Sequence, residues 1–85
     1  MMERINQHKD PLVGTNLRRL RAKKGLMNKE IVAQLQLRGI DITTGTYSKV
    51  ELGLNNPSVD LLIALTDILK CDYNSFFEGH QQYMQ

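Results

Sequence analysis

Glycine closes one short apolar-periodic segment after another along this 85-residue chain. That punctuation limits the chain to small helices packed on one another. Val13, Leu17 and Leu20 recur at helical spacing before Gly25, and Ile31, Val32 and Leu35 before Gly39. Tyr47, Val50 and Leu54 carry the same spacing around Gly53, and Phe76 and Phe77 precede Gly79. Period-two alternation, the mark of a strand, is confined to the "IDI" of residues 40–42.

The ends of each segment agree with this reading. Asp10-Pro11 is a helix opening, because Asp accepts from free amides and Pro is tolerated at the first helical position. A first helix is expected over about 11–24, with Lys23 and Lys24 at the negative end of its dipole. The second runs from Met27-Asn28 to about Arg38, with Glu30 in its first turn. "GIDIT" follows as an extended connector, and Thr43 caps a third helix that ends at Gly53. "LNNPS" is turn chemistry, after which Ser58 caps a fourth helix with Val59, Leu62, Leu65 and Leu69 inward. Asp72 caps a short fifth. The expected architecture is therefore all-α, with five short helices around one core. Residues 1–9 are expected as a flexible N-terminal arm, 10–79 as the domain, and 80–85 as a frayed tail.

Charge is divided unevenly along this frame. Up to Arg38 nine bases face three acids, a net +6, whereas from Gly39 onward two bases face six acids, a net −4. Such asymmetry suits a protein that turns one face towards a polyanion, although a basic helix in solvent has the same composition. Cys71 stands alone, without the partner that a disulfide or a CxxC metal site needs, as in chains of a reducing cytoplasm. No apolar run reaches the length of a membrane span, and no signal peptide is visible. His8 and His80 lie in opposite tails with no ligand set or catalytic partner near them in sequence. Neither an enzyme nor a metal or cofactor protein is expected.

"LRRLRAKKGLMNKEIVAQL" followed by "TYSKVELGLNNPSVDLLIALTDIL" resembles the phage-repressor/Cro-type helix-turn-helix family, also called the XRE type. The resemblance covers about Val13 to Phe77 and is most specific at Ser48, Val50, Glu51, Gly53, Pro57 and Ser58. "QLQLRGIDIT" is longer than the family's usual turn. The resemblance implies a compact lambda-repressor-like DNA-binding domain whose recognition helix, about 44–52, enters the DNA major groove. It implies DNA contacts from Thr43, Thr44, Gly45, Thr46, Ser48 and Lys49, with phosphate contacts from Asn28 and Lys29. Arg21 and Glu51 match a buried structural ion pair.

Some of these positions carry two readings. Lys49 is a base or phosphate contact, or a solvated lysine; Thr44 reads DNA, or shares the cap with Thr43. Tyr47 is a core residue on the Val50 stripe, its hydroxyl needing a partner or the surface. Met27 stands where Ser or Thr normally caps helix 2, so either Asn28 caps one residue later or the amides are left to phosphate and water. Arg18, Lys24 and Arg38 are candidate phosphate contacts. Lys70 stands where the family prefers glycine, at the cost of local strain. The function expected is that of a cytoplasmic transcriptional regulator, most simply a repressor, acting as a homodimer on palindromic double-stranded DNA. The alternative is a helix-turn-helix module that binds a protein partner, such as a toxin.

Overall fold

A computed structural model gives the fold and describes residues 11–79. The expected cap Asp10, both tails and both histidines lie outside the described residues. The described chain is all-helical: α1 (Leu12–Lys23), α2 (Asn28–Leu37), α3 (Thr44–Glu51), α4 (Val59–Leu69) and a closing 3-10 helix (Tyr73–Phe77). The fifth element thus has the tighter 3-10 winding, as suits five residues between a capping Asp72 and Gly79.

Each helix ends the same way. Beyond α1, the Gly25 amide donates to Ala22 O and the Leu26 amide to Arg21 O, with Gly25 at φ 71°. Gly39 with Ile40 repeats this pair of bonds after α2, and Gly53 with Leu54 after α3. This is the left-handed helix stop that glycine fits, since an added Cβ would be strained there. After α4 the Cys71 amide again reaches back five residues, to Thr66 O, but the left-handed position is Lys70, at φ 54° and ψ 50°. A lysine held in that region carries about 1–2 kcal/mol of strain. The strain expected at Lys70 is present.

At their starts, Thr43, Ser58 and Asp72 accept from the amides of Thr46, Leu61 and Ser75, as their sequence positions require. Pro11 occupies the capping position of α1 rather than its first turn. It also supports the end of α3: a Cβ added to Gly53 would fall 2.4 Å from Pro11 Cβ.

Leu17, Ile31, Leu35, Tyr47, Leu65 and Phe76 are fully buried, drawing every element into one core. Each contributes about 1.5–3 kcal/mol by leaving water. Val59 does not join them. The inward phase of α4 is set by Leu61, Leu62, Leu65 and Leu69, which leaves Val59 and Ile63 on the outer side. Leu54 is also displaced from its expected stripe, because α3 ends at Glu51 and the turn carries Leu54 outward. The connector after α2 is pinned by Gln36, whose side-chain amide donates to Ile42 O at 3.0 Å.

Candidate nucleic-acid interface

The weak helix formers of α3 (two threonines and a glycine in its first three positions) form a helix because the rest of the molecule holds its inner side. Tyr47, Val50 and Glu51 are buried along that side. Glu51 is gripped by Arg21 of α1, with Nε to Oε2 at 2.8 Å and Nη2 to Oε1 at 3.1 Å. The remaining guanidinium nitrogen, Nη1, donates to Leu26 O at 2.7 Å. The carboxylate holds Arg21 firmly protonated, above its ordinary value. The structural pair expected of Arg21 and Glu51 is formed.

Thr44, Gly45, Thr46 and Lys49 are exposed on the other side. A Cβ built on Gly45 meets nothing within 4 Å, so backbone is presented there with open space above it. Lys49 has no ion-pair partner among the described residues. The Thr43 hydroxyl accepts from the Thr46 amide at 3.1 Å and reaches its Oγ1 at 2.9 Å, so its capping work leaves little for an outside contact.

Asn28 and Ser48 are brought together. The Asn28 side-chain amide donates to Ser48 Oγ at 2.7 Å, which locks the first turn of α2 to the middle of α3. Both were expected to meet an outside ligand; here they meet each other, and the Asn28 side-chain oxygen is left buried without a hydrogen bond. Of the two readings of the α2 cap, the one that moves it to Asn28 fails, since Met27 occupies the cap and makes no side-chain hydrogen bond there. Its own amide donates to the Glu30 carboxylate at 2.7 Å. The Met27 side chain has no oxygen for the first-turn amides, of which the Glu30 amide donates to Met27 O at 3.0 Å, and Lys29 is exposed nearby.

Arg38 is not a free cation. Its Nε and Nη2 reach Asp67 Oδ2 at 3.0 and 2.7 Å, and its Nη1 donates to the backbone and side-chain oxygens of Gln34. Asp67 is held below the usual carboxylate range by that guanidinium, with Lys70 a smaller cause. Arg38 therefore clasps α2 to α4, a role that an isolated arginine at a helix end does not announce in sequence. Arg18 is exposed and unpaired among the described residues, whereas its neighbour Arg19 bridges Asn16 and Glu78.

A contact from Asn55 and the cleft beside it carry no sequence signal, and the Tyr47 hydroxyl finds neither the partner nor the surface expected of it. Asn55 donates to Thr46 O at 3.5 Å and props the first turn of α3 from the following loop. Beside it an open cleft of about 690 Å³ has apolar walls from Ile40, Ile42 and Leu54. The residues were visible as "LNNPS", but a turn signal does not say which helix the turn supports. The Tyr47 hydroxyl is buried without a hydrogen bond. Burial, and then the nearby Glu51 charge, push its ionisation far above the ordinary phenol value.

No helix among the described residues is long and apolar enough to cross a membrane. Set against known protein families, characterised proteins and solved structures, the chain matches none.

Proposed function

We propose that this protein is a sequence-specific double-stranded DNA-binding regulator of the helix-turn-helix type, with α2 and α3 as the motif and α3 as its reading helix. One observation carries the proposal: α3 is bolted down along its inner side while Thr44, Gly45, Thr46 and Lys49 face solvent. A helix so held presents its outer groups in a fixed arrangement, as a reading helix must. The cations near α2 and α3 that remain unpaired, Lys29 and Lys49, give that side the sign a phosphate backbone attracts. Thr44 and Lys49 are the side chains positioned to read base edges, with Gly45 admitting close backbone approach. So few contacts from one copy call for a homodimer on two half-sites about 34 Å apart or a multiple of that. Such a regulator, most simply a repressor, works in the cytoplasm.

Selection from a random duplex pool tests this directly. A palindromic motif should be enriched, and Lys49→Ala and Thr44→Ala should relax or abolish the enrichment. An unenriched pool, or affinity unchanged between low and high salt, would refute the proposal. The cleft at Ile40, Ile42 and Leu54, with Leu52 and Leu54 strongly exposed around the turn, favours a second reading as a partner-binding module. That reading expects co-purification of a protein and only non-specific retention on DNA.

A further inference from the structure

A second cleft, of about 720 Å³, opens where the C-terminal ends of α1 and α4 meet the 3-10 helix. Leu20 and Leu69 contribute apolar wall, and Lys23, Lys24 and Lys70 bring three ammonium groups to its lining. Its two carboxylates are already engaged. Asp67 is bound by Arg38, with Lys70 Nζ only loosely near at 4.0 Å, and Asp72 caps the 3-10 helix through Ser75. Lys23 and Lys24 have no ion pair among the described residues. Three lysines set against Asp72 and an Asp67 already held by Arg38 leave the cleft with a positive excess.

Lys70 adds an independent observation. It occupies the single helix stop, among the four made alike, that is not glycine. Glycine would relieve the strained backbone there, but would remove one of the three ammonium groups. Residues kept in costly backbone conformations cluster at ligand sites.

We propose that this cleft binds a small phosphate-bearing anion, gripped by Lys23, Lys24 and Lys70. Lysine serves phosphate as a mobile point charge, and three of them around a concavity suit a compact group of charge two or more. The site is separate from the outer side of α3, and its occupancy does not depend on the DNA-binding reading.

Cys71 lines the same cleft and is the chain's one cysteine, which makes its thiol a local reporter. Burial and the Asp72 charge raise the pKa of the thiol, while Lys24 and Arg19 oppose them. A bound dianion would block access and discourage the thiolate further; each unit of such discouragement is about tenfold in alkylation rate below the thiol's pKa.

The test is the rate of Cys71 alkylation by iodoacetamide in the full chain, with inorganic pyrophosphate added at fixed ionic strength. Protection on the order of tenfold is expected at saturation. Lys70→Gly should lose most of that protection although its melting temperature rises, so the loss is not unfolding. Lys23→Gln with Lys24→Gln should lose it as well, and Lys49→Gln should keep it. Protection matched by sodium chloride means an adventitious ion only and overturns the proposal. Protection by random duplex DNA without protection by pyrophosphate also overturns it, assigning the lysines to the DNA backbone. Full protection retained in Lys70→Gly is the third refuting result.

Discussion

Cutting Arg21 back to alanine would leave Glu51 with nothing to answer its charge. The Glu51 side chain is 4% exposed and Arg21 17%, so the two deletions are not equivalent. Arg21→Ala removes both bonds to the carboxylate and the donor to Leu26 O, and water has little access to replace them. Glu51→Ala leaves a guanidinium that keeps Leu26 O and has some contact with solvent. Breaking one side of such a pair costs about 3–5 kcal/mol, with Arg21→Ala expected near the upper figure and Glu51→Ala near the lower. Replacing both with apolar residues of similar volume, Arg21→Met with Glu51→Leu, should return stability to within about 1–2 kcal/mol of the parent, because no stranded charge remains. The assay is urea unfolding followed by circular dichroism on the parent, the two alanine variants and the apolar double variant. Against a total of about 5–10 kcal/mol, these differences are large. Single losses below about 1 kcal/mol, or a double variant that loses the sum of the two, would refute the account of how α3 is anchored.

Three further outcomes follow from particular contacts. Gly53→Ala should cost about 3 kcal/mol in the same unfolding assay, combining left-handed strain with the collision against Pro11. Gly25→Ala, which meets open space, should cost only the strain of about 1 kcal/mol, and equal losses would contradict the Pro11 contact. Tyr47→Phe removes a buried hydroxyl that has no partner and should stabilise by about 1 kcal/mol; a lower melting temperature would reveal a bond to Glu51. Asp67 is held below its ordinary value of 3.8, so the stability it adds is present above that value and lost as pH falls through the depressed one. The melting temperature of Asp67→Asn should therefore lie below the parent's at neutral pH, the gap narrowing as pH falls below 3.8 and closing only below the depressed value; a gap that persists in stronger acid would rule out the clasp as its source.

The elements were legible in sequence because their boundaries are local. Thr43, Ser58 and Asp72 cap by side chains that reach only three residues along, and the glycine stops depend on φ alone. The phase of α4 was less legible, since Val59 lies at the helix start, where an apolar pattern of two turns admits either assignment. The candidate interface was legible as a helix with a free outer side. Its partnerships were not: Asn28 with Ser48 spans 20 residues and Arg38 with Asp67 spans 29. No periodicity fixes which polar side chains meet across such distances, and an arginine on a helix reads as solvated until its acid is found. The lysine cleft is the extreme case, assembled from the ends of two helices that sequence spacing does not relate.

The unequal fastening of α3 also bears on how it moves. Its C-terminal half is joined to α1 through Glu51, to α2 through Ser48, and to Pro11 through the turn at Gly53. Its first turn rests on Thr43 and the long contact from Asn55. Amide hydrogen exchange should divide the helix accordingly, with amides near Val50 and Glu51 opening only in global unfolding and those nearer the start fraying far sooner. A helix of eight residues then behaves as two: a fixed shaft, and a tip that adjusts its backbone against whatever surface it meets.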